Sequence, residues 1–399
     1  MSKKILQLVL RCGGGLIQSI CVCTMLFIVL FTMNDTTRFA NFAANIQQES
    51  CCKGNGLILS ALSSNVKHFP APEQYRTLKS LRNISREATK HVVNSVTKAP
   101  FQMDKYAEWI PHPQQHLSPL LDNPYVIQNS DICRKTKNLD VIVLIHSATG
   151  NFKRRQGIRN TWGNIIRQEQ NNIKILFLLG LTENNHTKMR IVKENVKHKD
   201  IVQGNFIDTY QNLTHKAVLG LRWVNEFCPG DRRVLKVDDD VFLNTEKLHS
   251  VENKQDTIYC LRQNANTSII QRKENYKWKV DKSEFKNHKY FPLPYCHGFF
   301  ISMSTSMASK LYEAAHSMPF FWIDDFYVYG MLADKLGVSS NIVDMHPLLS
   351  LHTYDSLNCF GNENTKCNLL VGNAPSIEFM QSMWEKMLNQ NKGVSGKIV

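Results

Sequence analysis

The sequence predicts an α/β domain held behind one membrane-spanning segment, and three observations predict it. Residues 13–33 form an uncharged, largely apolar run near the N-terminus. Two continuous apolar stretches of strand length, 141–145 and 173–179, alternate with helical segments, the pattern of buried parallel strands covered by helices. A third apolar stretch, 234–237, ends in three consecutive aspartates. Of the 399 residues, 43% are hydrophobic and 10% aromatic, which excludes disorder as the main state. The net charge of +14, from 48 Lys and Arg against 34 Asp and Glu, is scattered along the chain. No basic helix interleaved with aromatics appears, so nucleic acid is not expected as a partner.

Taken in order, the first element is the membrane anchor. As a helix rising about 1.5 Å per residue, residues 13–33 span about 30 Å, the thickness of a bilayer's hydrocarbon core. Lys3, Lys4 and Arg11 precede the run, and Asp35 and Arg38 follow it. The positive side is therefore the short tail 1–12, expected in the cytoplasm, with the rest of the chain luminal. A cleaved signal peptide is the alternative. Its apolar core runs about 7–15 residues and ends in a small-x-small site. The present run is longer and passes into Thr32-Met33-Asn34-Asp35. Sequons at Asn83, Asn185, Asn212 and Asn266 agree with passage through the secretory pathway.

Of the 11 cysteines, Cys133, Cys228, Cys260, Cys296, Cys359 and Cys367 lie in the C-terminal two thirds with no zinc-like spacing. An even number in an oxidising compartment reads as disulfides, and proximity alone proposes only Cys359 with Cys367. Cys51 and Cys52 are placed to tether two chains as a homodimer, the alternative being unpaired surface thiols.

Residues 34–130 carry no sustained period and include a Pro-rich run from Pro111 to Pro124, which reads as a stem and puts the globular domain at 131–399. After the strand at 141–145, residues 154–170 have helical texture, and a polar helical segment near 188–196 follows the strand at 173–179. Leu213, Ala217, Leu221 and Val224 repeat at helical spacing up to Pro229-Gly230, which ends that helix. The strand at 234–237 then delivers Asp238, Asp239 and Asp240 at its carboxyl end.

Adjacent carboxylates repel and raise one another's pKa, a cost that a divalent cation removes. Hard oxygen ligands suit Mn²⁺ or Mg²⁺, and strand alternation would put Asp238 and Asp240 on one side and Asp239 on the other. A solvated acidic turn is the alternative, and the apolar flanks 234–237 and 241–243 argue against it.

The stretch Leu235-Lys236-Val237-Asp238-Asp239-Asp240-Val241-Phe242 resembles the DxD region of the β1,3-glycosyltransferase family, which includes β1,3-galactosyltransferases and β1,3-N-acetylglucosaminyltransferases. Further blocks agree in the same order: His146-Ser147-Ala148, Arg154 to Gly163, Phe206 to Lys216, Lys277 to Val280, Tyr290 to Gly298 and Asp324 to Val328. The likeness spans about residues 130 to 355.

The resemblance implies a GT-A fold, a mixed and largely parallel sheet flanked by helices. It implies a type II Golgi membrane enzyme that transfers galactose or an N-acetylhexosamine, with inversion, from a UDP-sugar to a 3-hydroxyl of a glycoprotein or glycolipid glycan. By the same resemblance Asp240, with Asp238 and His352, would hold the metal, and Asp325 would be the general base with Asp324 as fallback. Arg154, Arg155, Arg159, Asp208, Asp238 and Asp239 would face the nucleotide.

Other readings stay open at this stage. Asp324 or Asp325 also suits a helix N-cap. Lys216 reads equally as a solvated charge, and Trp278 and Tyr295 either stack on a sugar or pack in the core. The sequence departs from the family at Gly330, which comes five residues after Asp325, one more than in the usual short motif. A fringe-like transferase acting on one protein-linked sugar, and an inactive anchored lectin or cofactor, are the competing functions. The second predicts loss of a carboxylate, and Asp238, Asp239, Asp240, Asp324 and Asp325 are all present.

Overall fold

A computed structural model of the chain describes residues 104–395 apart from 112–116, 118–122, 137, 168–171 and 363–364. The expected anchor at 13–33, Cys51, Cys52 and the Asn83 sequon lie outside the described residues. Among the described residues no helix is long and apolar enough to cross a membrane.

Strands and helices alternate as the apolar pattern requires. In chain order the strands are β1 (Tyr125–Ile127), β2 (Val141–His146), β3 (Ile173–Leu181), β4 (Ile201–Ile207), β5 (Arg233–Asp238), β6 (Val241–Leu243), β7 (Ile258–Gln263), β8 (Tyr295–Ser304), β9 (Ile342–Asp344), β10 (Leu349–Ser350) and β11 (Val371–Asn373). The helices used below are α1 (Asp104–Trp109), α2 (Phe152–Asn160), α3 (Trp162–Arg167), α4 (Asn185–His198), α5 (Leu213–Phe227), α6 (Thr305–Ala315), α7 (Thr353–Gly361) and α8 (Ile377–Ser395). The helical texture of 154–170 resolves into α2 and α3, broken at Thr161.

Eight strands form one sheet in the order β1-β4-β3-β2-β5-β8-β7-β9, and β10-β11-β6 form a second. The central strands β4, β3, β2 and β5 run parallel, while β1 and β8 pair antiparallel at either side of that group. The sheet is thus mixed and largely parallel at its centre, as expected. Every residue of β2 is buried, so alternate side chains feed two separate cores. Ile142, Leu144, Leu176 and Leu178 meet Leu221 and Val224 of α5 and Leu311 of α6 on one face. Val143, Ile145, Ile175 and Phe177 meet Ile158, Trp162, Ile191 and Met383 on the other.

The packed body begins earlier than the sequence places it. Tyr106 and Trp109 of α1, and Ile110 after it, are buried in the first core, and Trp109 stacks 5.6 Å from Phe285. A six-residue helix is too short to show a period in sequence, which is why a stem reaching to residue 130 is the expectation there and a correction here. Among the described residues three disulfides form, Cys133–Cys228, Cys260–Cys296 and the expected Cys359–Cys367.

Under α2 and α4 lies a buried ionic cluster. Glu194 accepts from Arg155 Nη2 at 2.8 Å and from Arg159 Nη1 at 2.7 Å, and Arg159 Nη2 reaches Asp200 at 2.8 Å. Burial alone would raise the Glu194 pKa, and the two guanidinium groups outweigh it and hold the carboxyl below its usual range. Removing one partner leaves the other charges buried and uncompensated. Glu194→Ala is therefore expected to lower stability by about 3–5 kcal/mol, read from the denaturant midpoint at constant slope.

Candidate active site

Strand order places the site. From β2 the chain builds outward through β3 and β4, and from β5 through β8, β7 and β9, so the order reverses between β2 and β5. An open α/β sheet leaves a crevice for a ligand outside the carboxyl ends of its strands at such a reversal. Parallel pairing in register sets His146 opposite Asp238 at that point.

The three aspartates diverge there. Asp238 is the last residue of β5, and Asp239 and Asp240 turn the chain out of the large sheet into β6 of the small one. Simple strand alternation ends at that turn, and each carboxylate has its own surroundings. Asp238 Oδ1 accepts from Lys236 Nζ at 2.8 Å, and its side chain is 42% exposed. Asp239 is buried and accepts from Ser147 Oγ at 2.6 Å and Asn151 Nδ2 at 2.9 Å, while Arg154 Nη1 stands 3.9 Å away. Burial raises the Asp239 pKa against those bonds.

The Asp240 carbonyl accepts from the Ala374 amide at 2.7 Å. Its carboxyl is pushed above the usual range by burial first and then by the charges of Asp238 and Asp239. A crowded carboxylate of this kind, with hard oxygens beside it, fits a divalent cation. His352 is exposed at the N-cap of α7, just past β10. The ladder β10-β11-β6 sets β10 two strands from β6, about 10 Å by strand spacing. Among the described residues no three His, Cys, Asp or Glu side chains gather closely enough to hold an ion alone.

Of the three arginines, only Arg154 lies beside the aspartate turn, 3.9 Å from Asp239. Its Nη2 donates to Pro375 O at 2.6 Å, and its buried Nη1 has no hydrogen-bond partner. Arg155 and Arg159, expected to face a nucleotide, are buried and engaged by Glu194 and Asp200. Asp208 is likewise committed, accepting from Lys216 Nζ at 2.7 Å and from the Gly180 amide at 2.9 Å. Lys216 is no solvated charge, because it is buried and also donates to Ser147 O at 2.7 Å, bracing the end of β2.

Across the crevice stand Asp324 and Asp325. The cap residue of their helical turn is Ile323, with no side-chain cap bond, so neither carboxylate acts as the cap. Asp325 Oδ2 accepts from the Gly298 amide at 2.8 Å, and Asp324 Oδ2 lies 4.0 Å from His146 Nδ1. Burial raises both carboxyls well above the usual range, with Asp325's charge adding to the effect on Asp324.

Residues Tyr327–Leu332 continue as π-helix. A π turn holds more residues than an α turn, which absorbs the extra residue before Gly330 and keeps the carboxylates facing the crevice. Buried Lys236 links the two walls, since Asp238, Asp324 and Asp325 together outweigh burial and hold its ammonium above its ordinary pKa.

A cavity of about 420 Å³ lies between these groups, lined by His146, Asp238, Trp278, Tyr295, His297 and Asp325 among others. Trp278 stacks on Trp322 at 5.7 Å, and Tyr295 meets Phe326 edge-on at 5.6 Å, so both pack and line the cavity at once. A larger cavity of about 680 Å³ opens elsewhere, where β3 begins, beside Lys174 and Asp200. Its two lining carboxylates, Asp131 and Asp200, are both paired with basic side chains.

Sequence reasoning assigned no role to Lys236, His146, His297 or Gly298. A lone lysine inside an apolar strand was the one signal that could have found Lys236.

A crevice at a strand-order reversal, with acidic groups lining it, is where an α/β enzyme holds its ligand. Residues 153–344 match the family model described as Galactosyltransferase. The chain is 32% identical over 209 residues to beta-1,3-galactosyltransferase 5 of Pan troglodytes, covering 52% of this chain and 69% of that one. It is 34% identical over 241 residues to lactosylceramide 1,3-N-acetyl-beta-D-glucosaminyltransferase A of Xenopus laevis, covering 57% and 62%. A galactosyltransferase crystallised with donor and acceptor sugar analogues aligns at a TM-score of 0.31 and 12% identity over 61% of this chain and 95% of that one, too distant to bear on the fold. The chain is a glycosyltransferase, and it belongs to the β1,3-glycosyltransferase family.

The raised carboxyls give a pH prediction with a definite sign. Unfolded, each carboxyl ionises near 3.8; folded, each holds its proton to higher pH. Folding therefore takes up protons above that point, and the stability of the protonated pair is full below it and lost as pH rises through the folded pKa values. Asp324→Asn should raise the melting temperature at pH 8 and leave it nearly unchanged at pH 4, measured by calorimetry.

Proposed function

We propose that the chain transfers a hexose, galactose or an N-acetylhexosamine, from a UDP-sugar to the 3-hydroxyl of a glycan acceptor, with inversion, on a GT-A-type fold. The observation that carries this reading is one crevice with two carboxylate walls: the Asp238 to Asp240 turn on one side and the Asp324–Asp325 pair on the other, linked through Lys236.

The Asp325 carboxylate takes the proton of the acceptor hydroxyl as its oxygen bonds to the anomeric carbon. The bond from that carbon to the diphosphate oxygen breaks, and its electron pair leaves with UDP. Arg154 places a fixed positive charge beside the diphosphate wall. A divalent cation, Mn²⁺ or Mg²⁺, would be held by Asp240 with Asp238 and His352, and would supply further positive charge at the diphosphate side. Asp239, engaged by Ser147 and Asn151, holds the turn in place. Asp324, buried beside His146, lines the second wall next to Asp325.

The relatives divide between galactosyl and N-acetylglucosaminyl transferases, whose donor sugars differ at C2, hydroxyl against acetamido, and in the configuration at C4. Three disulfides support an oxidising, luminal setting, in keeping with a type II Golgi enzyme anchored through residues 13–33.

The enzyme should be incubated with a panel of UDP-sugars and a glycan array, and the product linkage read by NMR. One UDP-hexose should give a β1,3-linked product, chelation should abolish transfer, and Mn²⁺ should restore it. Full turnover in chelator, or a product of another linkage, would contradict the reading.

A further inference from the structure

Strand β8 is irregular where it meets the site. Against β7, Cys260 pairs with Ile301, but the next residue, Leu261, pairs with His297. Gly298, Phe299 and Phe300 therefore have no partner on β7 and bulge, while Phe300 still pairs with Val237 of β5. The Cys260–Cys296 disulfide ties the two strands together beside the bulge.

Both backbone groups of Gly298 are used there. Its amide donates to Asp325 Oδ2 at 2.8 Å, and its carbonyl accepts from Lys236 Nζ. A Cβ at this position would overlap Asp325 Oδ1 and stand 2.8 Å from its Cγ, so glycine leaves room for the carboxylate where it lies. Lys236 in turn holds Asp238 on the opposite wall.

We propose that Gly298 is the positioning residue of this enzyme: the bulge aims its amide at Asp325 and its carbonyl at Lys236, fixing the acceptor-side carboxylate relative to the donor-side one. Gly298 acts through Asp325, which accepts from its amide. The inference rests on the reading of Asp325 as the base. It assigns a catalytic consequence to a backbone irregularity and to the absence of a side chain.

The test is a double-mutant cycle in the full-length enzyme, comparing Gly298→Ala, Asp325→Ala and the pair. Gly298→Ala should lower kcat by about 10² to 10⁴, the usual worth of a general base, while KM for the UDP-sugar stays within about twofold. The double variant should be no slower than Asp325→Ala alone, because residues acting as one unit are not additive.

Turnover of Gly298→Ala within about threefold of wild type, alongside a slow Asp325→Ala, overturns the positioning role alone. A double variant about tenfold or more slower than Asp325→Ala does the same. If Gly298→Ala does not fold, the double variant lacks the carboxylate its methyl would strike, and its rate against Asp325→Ala decides. If Asp325→Ala is itself as fast as wild type, the base assignment fails and the inference fails with it.

Discussion

One buried lysine holds the site together. Lys236 lies in β5 with apolar neighbours in its strand, donates to Asp238 and to the Gly298 carbonyl, and stands in the field of Asp324 and Asp325. Buried carboxylates repel one another and resist ionising, and a cation fixed among them lowers that cost without closing the cavity. Its position demands a central strand, since only there can one side chain reach carboxylates arriving from two directions. The bulge in β8 and the π turn after Asp325 are local departures from regular structure that bring their groups within reach of it.

The rest of the molecule holds that arrangement still. The parallel strands β2 and β5 set His146 opposite Asp238, and two apolar cores clamp the sheet from both faces. Charged residues near the crevice divide into those that brace and those that face it. Arg155, Arg159, Asp208 and Lys216 brace, each engaged by a buried partner of opposite charge. Arg154 lies beside Asp239 at the aspartate turn, with one guanidinium nitrogen not hydrogen-bonded. Three arginines within six positions on one helix thus meet different surroundings because successive helical residues point about 100° apart.

The central strands were legible because a strand buried on both faces reads as an unbroken apolar run, as in 141–145 and 173–179. Leu213–Phe227 was legible from its helical spacing and its Pro-Gly stop, and Cys359–Cys367 from sheer proximity. The aspartates at 238–240 were visible as carboxylates next to apolar sequence, and the Asp324–Asp325 pair through the family resemblance. What escaped depends on contacts between segments far apart in the chain. Whether Arg155 meets a phosphate or Glu194 is decided 39 residues away, and the packing of Trp109 on Phe285 lies outside any local period. Gly298 was invisible for a further reason: its role is carried by backbone groups and by an empty volume, neither of which has a sequence signature.

The central claim is that the two carboxylate walls have separate duties, one toward the donor and one toward the acceptor's proton. Calorimetric titration of UDP in the presence of Mn²⁺ into wild type, Asp240→Asn and Asp325→Asn, each also assayed for transfer, tests it most directly. Asp325→Asn should bind UDP as wild type does while transfer falls by about 10² to 10⁴, and Asp240→Asn should lose Mn²⁺-dependent UDP binding. Equal loss of UDP binding in both variants, or wild-type transfer by Asp325→Asn, would contradict it.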